Sequence, residues 1–327
     1  MKSSLSALAL ALSTLMPLHA VAETRMDFSN EYNYSSIHAE GDSYFIGKVS
    51  ELTNSEVNIT LHTGGALGFK SADHFYAVAD NAIQIADTLA GTLGGIDPIF
   101  SLSSLPFLAS NEDQAEKLYR IARPHYEKVF ADNNQVLLYA SPWPASGIWA
   151  KKEVASKDSI KNLKIRTYDK NGTITLREAG ASPVNLSWAD VVPQLSTGGI
   201  EAVLTSAEAG ANASFWEHLN HYSAIQYAIP LNMVHMNKDE FDRLDDAQQQ
   251  AILEAARLTD AHNWQEVRAR VTKNYQQLGQ HGVSINDQLP GEFTTQLEQA
   301  AAKAIEKWVE ETGERGRDIL ARFRQEG

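Results

Sequence analysis

From Arg25 onward, segments that alternate like strands take turns with segments of helical period, and this restricts the fold more than any other feature. "TRMDFSNE" is strand-like, and "EVNITLHT" alternates apolar and polar residues as a strand does. Between them, Ile37, Tyr44, Phe45, Val49 and Leu52 fall on one face of a predicted helix. "GGALG" reads as a loop, "KSADHFYAVADNA" as a helix and "IQIAD" as the next short strand. Strands separated by helices pair in parallel, because a parallel partner is reached only by a long crossover.

The same grammar resumes further along. The piece from Gly91 to Ser104 is irregular, and a helix follows, capped near Ser110 or Asn111. "QVLLYA", "GIWAKK", "LKIRTY" and "SPVNL" supply a second set of strands. "SWADVVPQL" reads as a helix with Ser187 as N-cap and Pro193 interrupting it, "EAVLTS" as a strand and "AEAGANASFWEHL" as a helix. Beyond Asp245 the chain is almost wholly helical, with a turn at His281 and Gly282. No Gly/Ser/Pro-rich joint separates two beads on a string, so two lobes would require the chain to cross between them more than once.

The first residues, "MKSSLSALALALSTLMPLHAVAET", carry a positive start at Lys2, an apolar run from Leu5 to Leu18 and a small-x-small site at Ala20-Val21-Ala22. This is the pattern of a secretory signal peptide, with the mature chain starting at Glu23. The apolar run is short for a membrane anchor, and no later segment is long enough to span a bilayer. The protein is therefore expected to be exported and soluble. It contains no cysteine, which excludes thiolate catalysis and cysteine metal sites and leaves stability to packing. A formal charge of -13 disfavours nucleic acid as a partner, so any cationic pocket must be local.

Enzyme signatures are absent or incomplete. "VNITLHTGGALGFKSADHF", with Asp87 ending the next strand, imitates a dinucleotide site, but Thr63 stands where the fingerprint needs glycine. His218 and His221 lie three apart on a predicted helix without the further ligands zinc requires. No GxSxG elbow occurs. Glu306, Glu310, Glu311, Arg315 and Arg317 read as a solvated helix face, and Trp264 and Trp308 as packing residues. The segment "SPWPASGIW", with Trp143 and Trp149, and Trp188 at a helix start suit either packing or the lining of a cleft. Arg166 sits in the short strand of "NLKIRTY", where burial is costly unless an anion meets the guanidinium. From the residues alone, that anion is either a carboxylate of the chain itself or one that arrives from outside.

Four segments in order resemble one family, the extracytoplasmic solute-binding proteins of TRAP transporters (the DctP-like group). "HTGGALGFKSADHFYAVADNAIQIAD" is similar to its strand, GxLG loop, helix and strand, and "SLPFLASNEDQAEKLY" to its LPFLF segment. "IKNLKIRTYDKNGTITLREAGASPVNLSWADVVPQLSTGGIEAV" resembles its LKIR signature, and "PLNMVHMNKDEFDRLDDAQQQAILEAA" its C-terminal pattern.

The resemblance implies an α/β, two-lobed, periplasmic-binding-protein-like clamshell with crossing hinge strands and a long helical C-terminal region. The expected organisation is a signal peptide at 1–22, then two interleaved lobes over 23–327. The first lobe covers about 25–145 with part of the C-terminal region, the second about 146–235, and the helical region about 238–327 spans both. Arg166 falls on the family's ligand-pairing arginine, so the resemblance assigns the missing anion to the carboxylate of an organic acid. Trp143, Trp188, Tyr168, Tyr34, Thr205, Ser206, Asp87 and Glu208 are the expected company at the ligand. Val203, Leu204 and Thr205 stand where many relatives carry Gln-Glu-Asn, and "PASG" where many carry a second arginine. That disfavours a dicarboxylate and leaves a monocarboxylate with an apolar or aromatic body. An amino-bearing solute met by Asp87 or Glu208 is the alternative, and a ligand-sensing role is another. The implied partners are the small and large TRAP membrane subunits, with a monomeric protein in the periplasm, no cofactor, no metal and no catalysis.

Overall fold

The protein is described by a computed structural model over residues 24–325, so the expected leader lies outside the described residues. The chain begins with β1 (Thr24–Asn30), α1 (Ile37–Leu52), β2 (Val57–His62), α2 (Ser71–Ala79) and β3 (Ile85–Leu89). These three strands are parallel, each crossover being made by a helix. α3 (Glu112–Ala131), capped by Asn111, leads into β4 (Gln135–Pro142).

A second unit follows from β5 (Ser146–Ala150), α4 (Lys157–Ile160), β6 (Lys164–Thr167), α5 (Lys170–Glu178) and β7 (Ser182–Asn185). It is completed by α6 (Val191–Thr197), β8 (Ala202–Ser206), α7 (Ala207–Asn212) and β9 (His221–Ser223). The chain then supplies β10 (Leu231–Asn237), α8 (Lys238–Asp242), α9 (Asp246–Gln280), β11 (Ser284–Asn286), α10 (Gly291–Thr312) and α11 (Glu314–Gln325).

The strands form two sheets, ordered β2-β1-β3-β10-β4 and β11-β9-β5-β8-β6-β7. β10 belongs to the first sheet although it follows β9 of the second, and β11 returns to the second. α9, 35 residues and about 52 Å long, packs on α1 and β4 in the first lobe and on α7 and β11 in the second. The result is a two-lobed α/β protein whose lobes are tied by two short strand connections and a long helix.

Several local details differ from the sequence reading. On α1, Leu52 is 41% exposed and Tyr44 stacks on His262, while His38 and Asp42 are buried beside Phe45 and Val49. An apolar count passes over those polar positions on the inward face. Pro193 does not interrupt α6, because it lies in the first turn behind the N-cap Asp190, where its missing N–H would have no intrahelical partner. His218 closes a 3₁₀ turn and His221 opens β9, so they share no helix face. Trp264 and Trp308 are buried in one hydrophobic cluster of the first lobe, as packing residues should be. Among the described residues no helix is long and apolar enough to cross a membrane.

A separate cluster holds the lobes against each other. Tyr32, Leu89 and Trp143 from the first lobe pack with Ile148, Tyr168 and Ala209 from the second. The cleft opens beside this seam.

Candidate functional site

A cavity of about 480 Å³ lies between the sheets, within the range of small-molecule sites. Its walls come from the C-terminal ends of β1, β3, β6, β7 and β8, where open α/β sheets leave a crevice for ligands. Both lobes contribute, and they touch across the gap. Lys70 Nζ pairs with Asp190 Oδ2 at 3.1 Å, and Asn33 Nδ2 donates to the Asn212 carbonyl at 2.8 Å.

Arg166, one residue before the end of β6, faces this cavity while only 3% exposed. Its Nε donates to the Leu186 carbonyl at 3.0 Å. The guanidinium carbon lies 5.9 Å from the Tyr168 ring centre and 5.8 Å from that of Trp188, within cation–π range. Among the described residues no carboxylate lies within ion-pair distance of it. Burial draws its pKa down to about 10, so it stays charged at neutral pH. One edge of the fork is fixed by backbone, and the other is left for a ligand.

Trp143, Trp188 and Tyr168 also line the cavity. Trp143 is anchored by its Nε1–H, which donates to Asn232 Oδ1 at 2.8 Å, and its ring meets Tyr32 edge-on at 4.9 Å. Trp188 is half-buried, on the 3₁₀ turn after β7, with its ring 6.1 Å from Tyr32 across the seam. Thr205 and Ser206 end β8 at the wall, where the Ser206 hydroxyl caps α7 by accepting from the Ala209 N–H at 3.1 Å.

Three expected contacts lie elsewhere. Asp87 is fully buried beneath the wall, where it accepts from Asn232 Nδ2 at 2.7 Å and Asn30 Nδ2 at 3.2 Å. Beside it Asp42 accepts from Asn30 and from the Tyr139 hydroxyl at 2.9 Å. Burial raises both carboxyls, Asp87 to about 7. Glu208 lies in the first turn of α7, 2% exposed. It accepts from the Ile37 N–H at 3.0 Å and from Asn212 and Asn274, and pairs with Arg270 at 3.0 Å. Its lone pairs therefore join α1, α7 and α9 and face away from the cavity. Tyr34, in the turn before α1, is 71% exposed and does not line the cavity.

Two acids at the cavity were missed by the sequence reading. Glu31 follows β1 directly, and its Oε1 accepts from the Ser71 hydroxyl while its Oε2 is buried without a hydrogen-bond donor among the described residues. Burial raises its pKa, against the opposing influence of Ser71, Arg166 and Tyr32. Asp169 caps α5 by accepting from the Gly172 N–H at 2.9 Å, and burial pushes its pKa up to about 6. The signal for Glu31 was its place at the C-terminal end of a parallel strand, where ligands gather. Among the described residues no cluster of side chains suits a metal ion.

Comparison with known proteins places this geometry. The family model for bacterial extracellular solute-binding protein, family 7 (DctP), matches residues 28–312. An extracytoplasmic solute receptor of Bordetella pertussis binding pyroglutamic acid shares the fold with a TM-score of 0.89 at 29% identity, over 92% of this chain and 99% of that one. A TRAP solute-binding protein from a marine metagenome, specific for pyroglutamate, gives 0.88 at 29% identity, over 93% and 99%. The ectoine-binding periplasmic protein TeaA of Halomonas elongata is 22% identical over 91% of this chain and 90% of its own length.

Proposed function

Since this chain belongs to the DctP family of bacterial extracellular solute-binding proteins, family 7, we propose that it captures a small organic acid for a TRAP-type transporter, with the acid's carboxylate on Arg166. One observation carries the choice of ligand. A buried, charged guanidinium lines the cavity with no carboxylate of its own within reach among the described residues. A planar fork pre-oriented by the Leu186 carbonyl matches a carboxylate with short charge-assisted bonds. A cavity framed by Trp143, Trp188 and Tyr168 suits a compact body with apolar faces. The two relatives at 29% identity that bind pyroglutamic acid support a solute of that size and charge.

Capture works through closure. Ligand contacts from both lobes favour the closed arrangement over an open one, and the free-energy difference is the differential affinity for the two. The closed pair of lobes is then the form that membrane subunits receive. The chain acts as a monomer in the periplasm, reached through the leader at residues 1–22, and binds without turnover.

Isothermal calorimetry against a panel of small mono- and dicarboxylic acids tests this reading. A monocarboxylate, pyroglutamate among them, is expected to bind at micromolar or tighter affinity and to lose it in Arg166→Ala. Retained affinity in a folded Arg166→Ala protein overturns the assignment.

A further inference from the structure

Away from the cavity, α7 of the second lobe meets the start of α1 in the first through Glu208. Its Oε1 accepts from the Ile37 N–H at 3.0 Å and from Asn212 Nδ2 at 2.6 Å. Its Oε2 accepts from Asn274 Nδ2 at 2.5 Å and stands 3.0 Å from Arg270 Nε, an ion pair without hydrogen-bond alignment. Arg270 also pairs with Glu40 of α1 at 2.7 Å. Two carboxylates on different lobes thus meet one guanidinium on the helix that spans both.

Building on the capture-by-closure reading above, we propose that Glu208 is a positioning residue that sets solute affinity without touching solute, because its bond to α1 is made only when the lobes close.

The argument starts from which partners move together. Near its middle, α9 lies close against α1, where a Cβ on Gly41 would stand 2.5 Å from Asn263 Oδ1. About three turns further on, Asn274 bonds Glu208 of α7. Arg270 sits between these points, where the helix passes from one lobe to the other. Asn212 shares α7 with Glu208, and Asn274 lies on the stretch of α9 beside it. Ile37 alone among the hydrogen-bond donors belongs to the first lobe.

That donor is unusual in its need. A helix start leaves its first amides without an intrahelical acceptor, and Ser36 caps the Ala39 N–H instead of this one. A carboxylate here also meets the positive end of the helix dipole. Glu208 is 2% exposed and Ile37 3%, so the bond forms out of water, where hydrogen bonds to a charged partner are the stronger class. Other contacts across the seam are weaker candidates. Lys70 and Asp190 are both nearly half exposed, where pairing is screened and contributes little. Asn33 and Ser35 reach Asn212 at exposed positions, where water replaces either bond.

Amide exchange and calorimetry, with pyroglutamate as the probe, test the proposal. The Ile37 amide of the ligand-free wild type is expected to exchange as fast as in Glu208→Met, whose fold is checked by circular dichroism. Saturating pyroglutamate should slow that amide about tenfold or more in the wild type and not in Glu208→Met. Protection of the amide in the ligand-free wild type would mean that the bond already stands in the open protein as a fixed pivot, and overturns the proposal without any variant. By calorimetry, Glu208→Met is expected to bind pyroglutamate about tenfold or more weakly. Ile37→Pro deletes the donor at the first helical position, which proline tolerates after the extended Ser36. If Glu208 acts through that N–H, the two affinity losses do not add in the double variant. Additive losses, or wild-type affinity in Glu208→Met, sink the Glu208 proposal while acid capture stands. Should every acid of the wider panel fail, the acid reading falls, and ligand-free exchange at Ile37 judges this proposal by itself: fast exchange keeps it and protection removes it.

Discussion

Gly91, just beyond β3 in the first lobe, faces the carboxylate of Asp169 in the second, and a Cβ on Gly91 would stand 2.7 Å from Asp169 Oδ2. The same added atom would lie 3.2 Å from Asp169 Cβ. Asp169 cannot swing aside cheaply, because its other oxygen caps α5 through the Gly172 N–H. Glycine here is a matter of close approach between lobes rather than of turn geometry.

Gly91→Ala should therefore hinder closure without disturbing either lobe. Solute affinity is expected to fall about 10- to 100-fold, and the ligand-free melting temperature to stay within a few degrees of wild type. Calorimetry gives the first value, and small-angle scattering should show a more open protein at saturating solute. Unchanged affinity would mean that the lobes tolerate the methyl.

Arg166→Ala and Arg166→Lys separate charge from fork. Truncating one partner of a buried, hydrogen-bonded charge pair costs about 2–5 kcal/mol. Lysine restores charge but cannot donate to the Leu186 carbonyl and to two carboxylate oxygens in one plane. Both variants are expected to lose at least 30-fold in acid affinity, with lysine recovering less than a tenth of the wild-type value.

Much of the architecture was legible because strand–helix alternation is a local property. β1 to β3, with their crossover helices, and the start of α3 at Asn111 come straight from period and capping residues. Arg166 stood out because a strand guanidinium needs an anion. Glu31 did not, since a glutamate after a strand looks like any surface acid until Ser71, from a segment forty residues on, is seen on it. Asp87 and Glu208 misled for the converse reason. Their partners Asn232, Ile37 and Arg270 are distant in sequence, so nothing local shows those acids to be occupied.

The two cavity tryptophans should respond differently. Trp188 is half-buried and presents its ring to the cavity, so Trp188→Ala is expected to weaken a cyclic acid by tenfold or more and acetate hardly at all. Trp143 is 6% exposed, and its indole N–H satisfies Asn232. Trp143→Ala removes a large buried side chain and that bond together, with an expected loss of about 3–5 kcal/mol in stability. Urea unfolding and calorimetry on both variants distinguish the two roles. Equal affinity losses for cyclic acid and acetate in Trp188→Ala would make that ring a packing residue too.

The acid pair behind the wall predicts a pH dependence of stability. Asp42 and Asp87 are faced by His38, Asn30, Tyr139 and Asn232, and among the described residues no cation lies within ion-pair distance except His38 Nδ1, 3.8 Å from Asp87, if that imidazole were protonated. Burial instead keeps His38 neutral, well below its ordinary pKa. With Asp87 raised to about 7 and Asp42 raised as well, the folded protein holds protons that the unfolded chain has released. Their stabilisation is thus fully present below the ordinary carboxylate range and is lost as pH rises toward and through 7. The buried histidines His38, His74 and His235 act in the opposite sense, losing stability as pH falls below about 6.5. The difference between wild type and Asp87→Asn isolates the pair, because the amide keeps an acceptor for Asn232 and adds a donor toward Asp42. Urea denaturation between pH 5 and 8 is expected to show wild type losing ground to Asp87→Asn by at most about 1.4 kcal/mol per pH unit. A difference that is flat across that range would mean that Asp87 is already ionised in the folded protein.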